Sequence, residues 1–517
     1  MIIVIVATMF RSSSQSQEQY TETDNCGVAL RTSGNHVTDY FMMYTRTLGK
    51  AENEDYIERC WSVDPKKTIA IIFNGRDRLN GKKEKKVSNE AMQWLRLYKP
   101  ETYKLNIMNY VNKYGCWKDL LYIAYHIPKI NQIEDYYELG LFAIQLNQDS
   151  IKLKDNSSVS LCAKWAPSEK DRNDKRKQFA QKLATLMYTR DDPKKMEKYR
   201  KCIVPLRKKI NIVETLMCSG KWDEIKFENV PGVASKRLLK AFRKHQPDRY
   251  QQYLDEVKAG KKTIKVTGLL PHELVKFYID NHHGPNETIE LQWRTLLENV
   301  RKDGTLSKSI AIADVSGSMF HASNGDIPAQ VSIALSILTS LCCTGNFYKK
   351  VITFSTDPTL LELPNESLYD CFTKLQNVYY GLSTDFVKCN KCIIDYAKSH
   401  HLSSQDLPDK LFVFTDMQFD AASVETNSNM ETIYTHIVHL YKQNNYTPPK
   451  FIFWNLNSDT QNTFPVDIHV ENTAMVSGFS EQLLKIFMKY DEFNPQTIVD
   501  EVLQPYLDDI VIHEDEK

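Results

Sequence analysis

The stretch SIAIADVSGSMF, residues 309–320, sets three hard oxygen donors, Asp314, Ser316 and Ser318, at alternate positions where an apolar run stops. In extended chain, alternate side chains share a side and Gly317 permits a turn, so the three can converge. Carboxylates and hydroxyls are the donors that Mg²⁺ or Mn²⁺ prefers. Three oxygens do not complete an octahedral shell, so the remainder must come from other loops. Two stretches offer them. LFVFTDMQF ends an apolar run at Thr415 and Asp416, and GLSTDF places Ser383 or Thr384 just before a helical pattern. The competing reading of the same residues is a polar turn that binds no metal.

The elements that must position these groups are legible as apolar runs at 309–314, 350–356, 410–416, 450–456 and, more weakly, 473–479. Helical patterns at 328–343, 385–400 and 431–444 lie between them. Strands that are apolar throughout and alternate with helices predict a mostly parallel sheet covered on both faces, with ligands bound outside the carboxyl ends of its strands. Earlier in the chain the period is helical. SNEAMQWLRLYK (88–99), TYKLNIMNYVNKYG (102–115), CWKDLLYIAYHI (116–127) and IEDYYELGLFAIQLNQD (133–149) predict short helices with short links, as in a helical-pair array. The expected organisation is multidomain. An N-terminal segment, 1–65, is partly flexible around the polar stretch 12–25; a basic all-α module spans 66–304, a doubly wound α/β domain 305–495 and an acidic tail 496–517.

At 517 residues the chain exceeds one compact core. The net charge of +1 hides an asymmetry: residues 1–304 carry 53 Lys+Arg against 38 Asp+Glu, and residues 305–517 carry 13 against 27. A basic half of this kind suits a polyanionic partner such as RNA, or neutralises its own acidic half. Eleven scattered cysteines argue against a disulfide framework and for a reducing, cytoplasmic setting. MIIVIVATMF at the start lacks a basic flank and is too short to span a bilayer, so no membrane association is expected.

The DxSxS element, the hydroxyl of STDF and the carboxylate of FTDM together resemble the metal-ion-dependent adhesion site of von Willebrand factor A domains, over about residues 305–490. That resemblance implies that Asp314, Ser316, Ser318, Thr384 and Asp416 hold Mg²⁺ or Mn²⁺, some through water. It also implies an open coordination position for an acidic group of a protein partner. NGRDRLNGKKEKKVSNEAMQWL (74–95) and YVNKYGCWKDLLYIAYH (110–126) are similar to the opening of a TROVE module, the ring of HEAT-like helical repeats that precedes an A domain in the Ro ribonucleoprotein autoantigen. SLCAKWAPSE (160–169), the stretch 199–225 and LLPHELV (269–275) resemble, more closely, an uncharacterised TROVE-like family of large DNA viruses, plants and fungi. The TROVE likeness implies structured RNA on a basic surface; no contact carries over residue by residue, and Lys82, Lys83, Lys85 and Lys86 are the candidates by their place near the start of the helical module. If the chain is viral, it implies host cytoplasm or the virion.

Other chemistry finds less support. A haloacid-dehalogenase phosphatase needs an acid two residues after its Asp nucleophile, and Ser316 stands there. CNKC (389–392) is a lone pair of cysteines in an amphipathic helical pattern, which reads as packing. The sequence therefore predicts a non-enzymatic, ribonucleoprotein-like scaffold with a metal-dependent protein-interaction domain. A protein adaptor without RNA is the alternative, and a metal-dependent hydrolase ranks last.

Overall fold

The computed structural model describes residues 19–126, 137–169, 178–281, 284–320, 327–354, 358–376, 385–420, 433–458 and 463–517. The chain is helical in its N-terminal part and carries a mixed, mostly parallel sheet in its C-terminal part, and it divides into two compact units. The N-terminal run MIIVIVATMF lies outside the described residues. No described helix is long and apolar enough to cross a membrane, and the eleven cysteines are free thiols.

The first unit comprises residues 1–75, 79–87 and 266–510. A short antiparallel hairpin, β1 (Tyr20–Glu22) and β2 (Val28–Leu30), precedes its helices. The main sheet runs β5 (Thr359–Glu362), β4 (Lys350–Thr353), β3 (Ser309–Ala313), β6 (Lys410–Thr415), β7 (Lys450–Asn455), β8 (Thr473–Ser477). All pairings are parallel except β4 with β5. Residues of β3, β6 and β8 are buried throughout, which is why these strands read as unbroken apolar runs. The edge strand β5 was not anticipated: it is four residues long and none of them is fully buried, so its apolar signal is weak. The chain leaves β3 for β4 on one side and later enters β6 on the other. The carboxyl ends of β3 and β6 thus form the switch point where open α/β sheets bind ligands.

The composition change near residue 304 is not a structural boundary. Helices Pro271–Asn281 and Glu287–Lys302 pack on the wholly buried helix Pro328–Cys342 of the α/β layer. The Glu290 carboxylate accepts the N–H groups of Leu368 and Tyr369, capping helix Leu368–Gln376, and Trp293 Nε1 donates to the Glu366 carbonyl at 3.1 Å. Residues 36–75 belong here as well, since helix His36–Met43 packs on β8 and on helix Pro495–Leu507. Most of the expected acidic tail is therefore a helix of this unit, tied by Tyr506 to Asn74 and by Asp500 to Lys67.

The second unit comprises residues 76–78, 88–265 and 511–517 and is helical. Helix Pro100–Asn109 continues into a π turn, Tyr110–Tyr114, and stops at Gly115. Helix Trp117–His126 packs on Tyr137–Lys154, which packs in turn on Phe179–Met187 and Lys195–Ile210. Buried ion pairs tie distant segments together: Arg76 to Asp119 at 2.7 Å and Arg96 to Glu138 at 2.5 Å, with Tyr103 donating to the same Glu138 carboxylate. The last residues also dock here. Asn106 exchanges hydrogen bonds with the Val511 backbone, and the Glu516 carboxylate accepts the N–H groups of Glu101 and Thr102 at the start of a helix. Counted by unit, this one carries 39 Lys+Arg against 25 Asp+Glu, and the first unit 27 against 40.

Candidate cation site

The register of β3 on β6 sets the site. Ala313 lies opposite Phe414, and the Asp314 N–H donates to the Phe414 carbonyl at 3.0 Å. Asp314 is consequently the first residue past β3, level with Thr415 and Asp416 at the end of β6. One oxygen of Asp314 accepts the Ser316 N–H at 2.9 Å, which turns the chain back on itself. The other accepts the Thr415 hydroxyl at 2.5 Å. Ser316 Oγ lies 3.2 Å from Ser318 Oγ, so these two hydroxyls share one side as the alternation predicts. Asp416 Oδ1 accepts the Gln418 N–H at 3.2 Å, whereas Asp416 Oδ2 is buried with no hydrogen-bond partner among the described residues.

The electrostatics are those of two acids forced together. Asp314 is fully buried and Asp416 is 2% exposed. Burial raises the Asp314 carboxyl above its ordinary range, opposed by hydrogen bonds from Ser316 and Thr415 and reinforced by the charge of Asp420. Burial and then the Asp314 charge push Asp416 up to about 7, with Ser318 pulling the other way. A buried carboxylate oxygen without a donor, beside a second carboxylate, costs free energy unless a cation or a proton lies between them. The donor set of two carboxylates and two hydroxyls therefore fits a hard divalent ion. Among the described residues no three His, Cys, Asp or Glu side chains cluster as a metal-binding group, so the hydroxyls are an essential part of this set. Gly317 is exposed and Ser318 half-buried, which makes that side the open one.

Asp314, Ser316, Ser318 and Asp416 are thus brought together. Thr384, with its alternative Ser383, lies outside the described residues; the next residue, Asp385, caps helix Phe386–Ser399 through the Lys388 N–H. Cys389 of CNKC is fully buried in that helix, as packing requires. Thr415 stands at the end of the apolar run 410–416 in the sequence but is not among the expected ligands, and Asp420 carries no local signal. Thr415 had a usable signal as the last residue of an apolar strand beside an acid.

The lysine run is a correction. Lys82 is 1% exposed, its ammonium donating to the Phe41 carbonyl at 2.5 Å and to Ser477 Oγ at 2.7 Å above the Phe41 ring. Burial pushes it well below its ordinary pKa. Lys83 pairs with Glu481 at 3.0 Å in a nearly buried bridge. Neither is presented to a polyanion. Lys85 is half-buried, and only Lys86 of the four is exposed.

Residues 308–514 match a domain of unknown function (DUF7788), and residues 23–139 and 136–306 match a second domain of unknown function (DUF2828). Along 519 aligned residues the chain is 31% identical to the uncharacterized protein L728 of Acanthamoeba polyphaga mimivirus, covering 94% of this chain and 87% of that protein. The DUF2828 match takes in more than half of the sequence and the mimivirus likeness nearly all of it, so the chain belongs to the DUF2828 family and is a homologue of that viral protein.

Proposed function

We propose that this chain is a non-enzymatic recognition protein whose sheet-bearing unit is a von Willebrand A-type domain binding an acidic group of a protein partner through a divalent cation. The observation that carries the reading is the buried Asp416 carboxylate, whose Oδ2 has no hydrogen-bond partner among the described residues, set beside the Asp314 charge and the Ser318 hydroxyl at the switch point of the sheet. Asp314, Ser316, Ser318 and Asp416 would hold Mg²⁺ or Mn²⁺, with Thr384 as a further donor. A bound ion of this kind supplies a Lewis-acidic position for a carboxylate. Two carboxylates balance a divalent charge, so a third anion can join at modest cost. Ser316 in place of an acid two residues after Asp314 favours recognition over phosphoryl transfer. Isothermal titration with an aspartate-containing peptide library in Mg²⁺ and in chelator tests this. Binding only with Mg²⁺ supports it, and equal binding in chelator refutes it.

A second element of the proposal assigns the helical unit, as a TROVE-like array of HEAT-type helices, to structured RNA. Its support is the excess of 39 cations over 25 anions and, within helix Gly232–His245, the exposed Lys240, Arg243 and Lys244 on one stripe. Trp222 stacks on His245 at the end of that helix, 4.0 Å between centroids. Affinity for a structured RNA that falls steeply between 0.05 and about 0.2 M salt supports this assignment. A flat profile refutes it and leaves an adaptor without RNA.

A further inference from the structure

We propose that the N-terminal hairpin is a clamp that positions Asp416 and is energetically coupled to the occupancy of the cation site, with Gln418 as the positioning residue between them. The inference rests on the cation reading above and names a regulation of that site.

The hairpin turn grips the three residues that follow the strained step after Asp416. Thr23 Oγ1 donates to the Phe419 carbonyl at 2.7 Å, and Asn25 Nδ2 donates to the Gln418 carbonyl at 2.8 Å. The Asp24 N–H donates to Gln418 Oε1 at 2.7 Å, and Cys26 forms a β-bridge with Asp420. A Cβ on Gly27 would come within 2.5 Å of the Phe419 carbonyl, so the two backbones meet closer than any other residue allows. Val28 and Ala29 line an apolar pocket with Met417 and Phe419, and Leu30 exchanges backbone hydrogen bonds with Phe464.

Gln418 is 1% exposed and is held at three points. Its side chain and its carbonyl both accept from the hairpin, while its N–H donates to Asp416 Oδ1. Between Asp416 and Gln418 stands Met417 at φ +67°, a left-handed conformation that a side chain of this size seldom adopts. Such a residue persists only where its surroundings over-determine it, and here the hairpin holds its carboxyl side together with Thr463, whose hydroxyl donates to the Met417 carbonyl at 3.4 Å. Release of the hairpin lets Met417 relax and turns the Asp416 carboxylate. By linkage, an ion that requires Asp416 in its clamped position must tighten the hairpin by the same factor.

Hydrogen exchange of the full chain with and without Mn²⁺, alongside Mn²⁺ titration, tests this. In the wild type, saturating Mn²⁺ slows the amides of residues 20–30 by about fivefold or more, the lower end of ordinary coupling. Amides of helix Lys50–Val63, in the same unit, are the reference and change little. Gly27→Ala frees the hairpin and weakens Mn²⁺ by a comparable factor; Thr23→Val serves if Gly27→Ala does not fold. Mn²⁺ binding that leaves the exchange of residues 20–30 unchanged, or slows the reference helix equally, overturns the coupling alone. The same holds if a variant with a freely exchanging hairpin keeps the wild-type Mn²⁺ affinity. No Mn²⁺ binding by the wild type overturns the cation reading and the coupling with it.

Discussion

Replacing Asp416 by Asn should change stability in opposite directions depending on whether a divalent ion is present. The side chain is 2% exposed and its carboxyl sits at about 7 against an ordinary 3.8. A tenfold change in proton affinity is worth about 1.4 kcal/mol, so the ion-free site at pH 8 carries a penalty with a ceiling of about 4 kcal/mol. A folded value above the unfolded one favours the fold only while the group is protonated. The wild-type chain in chelator therefore loses stability as pH rises from about 4 through about 7. Asparagine keeps the oxygen that accepts from the Gln418 N–H and removes the charge, but its amide must be buried too, which offsets part of the gain. The expected net is a stabilisation of about 1–3 kcal/mol at pH 8 in chelator, about 1–4 °C in melting temperature for a unit of this size. At pH 4.5 the two chains should converge. Adding Mg²⁺ at about a thousand times its Kd should raise the wild type by about 4.1 kcal/mol and Asp416→Asn by far less, so the order inverts. Calorimetry at both pH values, in chelator and in Mg²⁺, reads all four states. A variant equally destabilised at pH 8 and pH 4.5, with the full Mg²⁺ increment, would refute the reasoning.

Three other outcomes follow from named contacts. Lys82→Ala removes the ammonium that joins Phe41 to Ser477 and leaves a cavity, so urea unfolding should show a loss of about 2–4 kcal/mol while the salt slope of RNA binding stays unchanged. Lys240→Ala, Arg243→Ala and Lys244→Ala combined should lower the slope of log affinity against log salt by about 2–3 with stability nearly unaffected, measured by fluorescence anisotropy on a structured RNA. At Glu516 burial alone would raise the carboxyl, yet hydrogen bonds from Thr102 and Glu101 outweigh it and hold the group below its ordinary value. Its capping contribution is then present above the ordinary carboxylate range and lost as pH falls through the folded value. Glu516→Gln should accordingly melt earlier at pH 7 and match the wild type near pH 3.

Five of the six strands of the main sheet and four of the site residues were legible, because burial on both faces writes a strand as an apolar run with Asp416 at the end of one, and a hydrogen-bonded turn writes itself as Asp-x-Ser-x-Ser. What escaped the sequence was long-range. TETDNCG reads as a polar loop because nothing local records that Gln418 and Phe419, almost four hundred residues later, accept its hydrogen bonds. KKEKK reads as an exposed basic stretch open to RNA, yet Lys82 and Lys83 are covered by Ser477, Gly478 and Glu481 of the sheet-bearing unit. The apparent boundary at residue 304 reflected a change in charge and period. Amphipathic helices such as Glu287–Lys302 look alike whether they face one another or a sheet, and long-range contacts, such as the capping of helix Leu368–Gln376 by Glu290, show which unit claims them.

The central claim is that the carboxyl ends of β3 and β6 hold one divalent cation between Asp314 and Asp416. Electron paramagnetic resonance of Mn²⁺ titrated into the full chain measures this directly. One tightly bound Mn²⁺ per chain, lost in Asp314→Ala while the melt remains cooperative, is the predicted result; the same stoichiometry and affinity in Asp314→Ala would contradict it.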